Sequence, residues 1–188
     1  MAFTAADVKK LREMTSVGMM DCKKALTEAD GDFDKAIEIL REKGLAKAAK
    51  KAGRIAAEGM VCAKVCAECG VGGIIEVNSE TDFVAKNADF QKFVSDLADV
   101  VIRENPADVE ALKACQMGDM TVEAALQEKV LTIGENIQIR RFARYDESTV
   151  NVSYTHMGGV IGVLVGLQVS ENLKGNATVL ELGKDIGM

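Results

Sequence analysis

Cys62, Cys66 and Cys69 form the densest group of reactive side chains in the sequence. Thiolates are soft metal ligands and nucleophiles, so zinc binding and thiol chemistry are the first possibilities to weigh. A structural zinc site takes four Cys or His ligands, commonly as two close pairs. Here three cysteines are close together, and the one histidine, His156, lies far along the chain. On a strand, Cys62 and Cys66 would share a face about 13 Å apart, too far for one ion unless a turn intervenes. Cys66-Ala-Glu-Cys69 has the bare spacing of a redox pair. It falls in a predicted hairpin, however, where no helix start lowers a thiol pKa. These cysteines are read as small buried side chains, and neither a metal nor a cofactor is expected.

Other catalytic groups are sparse. His156 follows a strand-like segment without a nucleophile to activate, and is read as a surface or interface residue. The glycine-rich run "GGVIGVLVG" lacks the Gly-Lys-Ser/Thr ending that holds phosphate and metal in a P-loop. An enzyme making or breaking covalent bonds is therefore not expected. Potential contact groups are present instead. Phe83 stands among Glu80, Asp82 and Lys86 where the chain looks like a turn; it is either an outward contact or a helix-start residue folded back onto the core. Met19 and Met20 fall together at the start of a helix and cannot easily both face inward. An exposed Met suits an adaptable apolar contact; the other reading is that both are partly buried. Arg12 and Lys23 lie on polar faces, where simple solvation is the alternative.

The elements that must position these groups are legible from spacing. Residues 4–44 read as three short helices. Thr4 with Asp7 makes a capping-box pattern, Gly18 opens the second helix, and Asp32 caps a third that ends at Gly44. Such short helices are stable only when packed, which predicts a small bundle. "LAKAAKKAGRIAAEG", residues 45–59, reads as a helical linker with a break at Gly59. "MVCAKVCAECGVGGIIEVNS", residues 60–79, fits two strands about a turn near 69–73. Phe90, Phe93, Val94, Leu97 and Val101 return to helical spacing over 88–104, with Pro106 beyond. Helices are predicted around 107–115 and 121–132, then strands in "NIQIRRFARYD" and "TVNVSYTH" and a buried strand in "GGVIGVLVGLQV". The fold class is α+β: a helical head, and a body of antiparallel sheet with helices on one side. "VGGIIEV" (71–77) is echoed by "MGGVIGV" (157–163), and "SDLA" (95–98) by "KDIG" (184–187), so a strand followed by a helix occurs twice. The domains are expected at 1–44, 45–59, 60–146 and 147–188.

Composition narrows the function. The net charge of -6 gives no general electrostatic footprint for nucleic acid. Residues 1–56 hold 12 Lys and Arg against 9 Asp and Glu, so a mildly basic head precedes an acidic body. Apolar runs fall short of the roughly 20 residues of a membrane span. With an odd cysteine count and no apolar N-terminal signal region, the expectation is a cytoplasmic protein without a disulfide framework.

Three segments carry a family resemblance. "LREMTSVGMMDCKKALTEADGDFDKAIEILREKG" (11–44) resembles the ubiquitin-associated-like N-terminal module of the elongation factor Ts family. "EVNSETDFVAKN" (76–87) and "IGENIQIRR" (133–141) resemble its core segments. The resemblance implies a guanine-nucleotide exchange factor that binds elongation factor Tu–GDP, displaces Mg2+ and promotes GDP release, with no membrane or direct nucleic-acid partner. It implies that Thr81, Asp82, Phe83 and Val84 act near the partner's magnesium, and that Arg12, Met19, Met20, Lys23 and His156 contact the partner. Where some members carry a "GARIG"-like turn, this sequence has "GGVIG" (158–162), without the basic residue. The second core subdomain is expected to be incomplete. A helical adaptor without exchange activity, built on residues 1–44, and a zinc or thiol protein are the rival readings.

Overall fold

The computed structural model describes residues 3–188, apart from the side chains of residues 47 and 48. The chain divides into two compact units. One comprises residues 3–55 and 126–136, and the other comprises 56–125 and 137–188.

The first unit holds helices α1 (Ala5–Thr15), α2 (Met19–Glu28) and α3 (Phe33–Lys51), with most of α7 (Val122–Ile133). Thr4 and Asp7 form the expected capping box, and Asp32 accepts from the Lys35 amide at 3.1 Å. The apolar stripes converge: Leu11, Cys22, Ala25, Leu26 and Ala36 are fully enclosed. Two boundaries differ from expectation. Gly44 does not end the third helix, which runs on to Lys51. A Cβ at Gly44 would come 3.1 Å from Leu131 Cδ2, so this glycine allows close helix packing rather than a stop. Lys50 and Lys51 lie in the last turn, where they favour the negative end of the helix dipole.

The second unit is built on a three-stranded antiparallel sheet of β1 (Glu58–Val65), β2 (Gly72–Ser79) and β5 (Gln138–Tyr145), with β2 central. Gly59, expected as a break, lies inside β1. Its φ of 130° is open to glycine, and a Cβ there would sit 2.2 Å from the Val77 carbonyl oxygen. Helices α4 (Asp82–Ala85) and α5 (Ala88–Glu104) follow β2. The α5 stripe of Phe90, Phe93, Val94, Leu97 and Val101 is buried, packed over β1 and β2. Next come α6 (Val109–Ala114) and an unforeseen small hairpin, β3 (Gln116–Met117) with β4 (Met120–Thr121).

A further hairpin, β6 (Val150–His156) with β7 (Ile161–Leu167), is followed by α8 (Ala177–Gly187), which packs on it. The sequence echo thus corresponds to a repeated unit, hairpin then helix: β1–β2–α5 and β6–β7–α8. The expectation of a buried strand in 158–169 is corrected. Only Leu164 of β7 is buried: the strand pairs with β6 alone, and Gly162 and Gly166, where a Cβ would come 2.5 Å from Val61 and 2.2 Å from Ser148, bring no side chain to that face. Helical head and antiparallel α+β body are both present. No described helix is long and apolar enough to cross a membrane.

Candidate functional site

The segment Thr81–Val84 is a short connection under local constraint. Ser79, fully buried at the end of β2, donates its hydroxyl to the Thr81 carbonyl at 3.0 Å. Val84 is buried beneath the single turn of α4. The Asn87 amide closes on the Val84 carbonyl at 2.9 Å, while the Asn87 side chain caps α5 by accepting from the amides of Asp89 and Phe90. Gln91 Nε2 donates to the Ala85 carbonyl at 3.0 Å. With the turn anchored on both sides and Val84 turned inward, Phe83 faces out: the residue is 79% exposed. Asp82 is also exposed and forms an i,i+4 pair with Lys86 at 2.6 Å. The hydrogen bond from Lys86, reinforced by its charge, holds the Asp82 carboxyl below the ordinary carboxylate range. An apolar ring and a firmly ionised carboxylate are therefore adjacent on a constrained turn. Folding back of Phe83 onto the core, the alternative open at the sequence level, does not occur.

In the first unit, the α1–α2 corner is pinned from within. Thr15 donates to the Leu11 carbonyl at 2.8 Å, Val17 is buried, and Cys22 Sγ donates to the Val17 carbonyl at 3.5 Å. Ser16 takes a left-handed conformation, so the chain turns sharply and α2 begins at once. Met19 and Met20 are both exposed, 43% and 64%. Arg12 and Lys23 are exposed on α1 and α2. Met14, also exposed, extends the apolar character of this corner; it stands three residues after Leu11, beside the buried stripe, so helical spacing carried no signal of its exposure.

His156 ends β6 in the second unit and is exposed. Its Nδ1 lies 3.0 Å from the Tyr154 hydroxyl, and the two rings stack with centroids 6.1 Å apart. The turn that follows carries exposed Met157, Val160 and Ile161. The sequence reading places Val160 and Ile161 in a buried strand; the paired glycines after Met157 were the signal for a turn here. Thr81–Val84 and His156 thus belong to one unit, and Arg12, Met19, Met20 and Lys23 to the other.

The cysteines are not uniformly buried. Cys22 is enclosed, Cys62, Cys66 and Cys115 are half-buried, and Cys69 is exposed at the β1–β2 turn, contrary to the expectation for Cys69. Burial pushes the Cys62 thiol pKa up. The Cys66 thiol is pulled down instead by hydrogen bonding from the Cys69 side chain and from turn amides, an effect a hairpin was not expected to supply. Among the described residues, no three His, Cys, Asp or Glu side chains come together as a metal-binding group.

Residues 80–188 match the family described as elongation factor TS. The whole chain is 48% identical over 188 residues to elongation factor Ts of Alkalilimnicola ehrlichii, covering 62% of that protein. It is 54% identical over 169 residues to elongation factor Ts of Trichlorobacter lovleyi, where 88% of this chain aligns with 54% of the relative. To elongation factor Ts of Clostridioides difficile it is 48% identical over 186 residues, 98% of this chain and 60% of the relative. The chain therefore spans little more than half the length of these curated relatives.

Proposed function

The chain belongs to the elongation factor Ts family, and from that membership we propose that it acts in translation elongation as a guanine-nucleotide exchange factor for elongation factor Tu. The single observation that carries the mechanism is the outward Phe83 ring on an anchored turn beside ionised Asp82. A ring projecting into water gains free energy only by entering an apolar slot, and burying one Phe contributes about 1.5–3 kcal/mol. The hydrogen bonds about Ser79, Asn87 and Gln91 fix the backbone of the turn, so the ordering cost of binding falls mainly on the Phe83 side chain.

In this reading Phe83 is a wedge and Asp82 disturbs the environment of the partner's magnesium and phosphates. Thr81 leads into the turn, its carbonyl held by the Ser79 hydroxyl, and Val84 anchors it from below. The exposed Arg12, Met19, Met20 and Lys23 dock the head on the partner, and His156 contributes a contact from the second unit. No covalent step is needed. Linkage makes the effect reciprocal: the factor by which this protein weakens nucleotide binding is the factor by which nucleotide weakens its own binding.

The test is the release of labelled GDP from elongation factor Tu with and without the chain. Acceleration that disappears with Phe83→Ala and Asp82→Ala supports the reading. Binding without any acceleration would favour the helical-adaptor alternative.

A further inference from the structure

The β1–β2 turn presents a second feature, unrelated to Phe83. The Cys66 amide donates to the Val71 carbonyl and the Gly70 amide to the Cys66 carbonyl, both at 2.9 Å, so that the chain curls back on itself between the two cysteines. Inside this curl the Cys69 amide donates to Cys66 Sγ at 3.3 Å. The turn is also tied to the body of its unit: Asn151 Nδ2 donates to the Gly70 carbonyl at 2.9 Å and to the Tyr145 carbonyl at 3.0 Å. Cys69 is open to solvent, and Cys66 is half-buried beside it.

We propose that Cys66 and Cys69 are a reactive dithiol that closes to an intramolecular disulfide on meeting a small disulfide of the glutathione class. Cys66 is the attacking group. Donors from Cys69 and Glu68 favour its thiolate, with the Glu68 carboxylate a weaker opposing influence. The Cys66 thiolate attacks one sulfur of the small disulfide, a mixed disulfide forms, and one small thiolate leaves and takes up a proton. Cys69 then loses its proton and attacks Cys66 Sγ, releasing the second small thiol. The two protein thiols are oxidised and the small disulfide is reduced to two thiols. Cys62, with its thiol pushed up by burial, and enclosed Cys22 are not competitors.

The experiment incubates the full 188-residue chain with oxidised and reduced glutathione at graded ratios, blocks free thiols, digests with trypsin and weighs the peptides. Cys66 and Cys69 share one tryptic peptide, residues 65–86. The expected result is loss of two hydrogens from that peptide in monomeric protein, reversed by dithiothreitol. Cys69→Ser should retain one glutathione on Cys66, because the resolving thiol is gone. Stepwise glutathionylation of both residues without closure would overturn the proposal, as would disulfides between chains or Cys66 blocked no faster than Cys62. Both side chains reach solvent, so the Ser variants are expected to fold, and circular dichroism checks this.

Discussion

Replacing Phe83 with Ala separates recognition from folding. Phe83 is 79% exposed, so removal of its ring takes little from the chain's own core; surface changes of this kind usually shift stability within about 0.5 kcal/mol. What remains to be buried in a partner is about four-fifths of the side chain. Scaling the usual 1.5–3 kcal/mol for a buried Phe by that share leaves about 1.2–2.4 kcal/mol. At about 1.4 kcal/mol per tenfold, this is a loss of roughly sevenfold to fiftyfold. The assay is stopped-flow release of fluorescent GDP from elongation factor Tu, with the exchange factor below saturation so that the slope reports capture and release together. Thermal unfolding of the variant should coincide with that of the parent chain. A slope within twofold of the parent, with unfolding unchanged, would refute the wedge. A large loss with early unfolding would show instead that position 83 supports the fold, contrary to its exposure.

Other outcomes follow from the same geometry. Met19→Ala combined with Met20→Ala should weaken binding to elongation factor Tu by about tenfold or more, with thermal stability little changed; titration calorimetry reads the first and circular dichroism the second. The Asp82 carboxyl is held below 3.8 by Lys86. A depressed carboxylate contributes its pairing fully above that ordinary value and loses it as pH falls through the lowered one. Lys86→Ala should therefore raise the Asp82 midpoint in a carboxyl-carbon NMR titration, and an unmoved midpoint would contradict the pairing. Gly59→Ala places a Cβ against the Val77 carbonyl at a φ of 130°; a loss of about 2–4 kcal/mol is expected in urea unfolding.

Much of the architecture was legible because local rules acted alone. The Thr4–Asp7 box, the Gly18 start and the Asp32 cap are set by amides that need a partner within three residues. The α5 stripe was visible because five apolar residues recur at helical spacing and one side of a helix must leave water. Glycine was less readable. At positions 44 and 59 the missing Cβ makes room for Leu131 and for the Val77 carbonyl, atoms distant in sequence. A stop and a close approach look the same in one dimension. The run from Gly158 similarly reads as a buried strand, since hydropathy cannot say whether a strand has neighbours on both sides.

The sequence by itself determined the caps, the helical stripes, most of the strand segments and the family segments, because these depend on spacing along the chain. Only the tertiary structure decided that Phe83 faces outward while its neighbour Val84 is buried, that both Met19 and Met20 stay in water, and that Cys66 lies against the Cys69 amide. Exposure and hydrogen bonding depend on which distant atoms fill the space around a side chain, and spacing alone does not fix that.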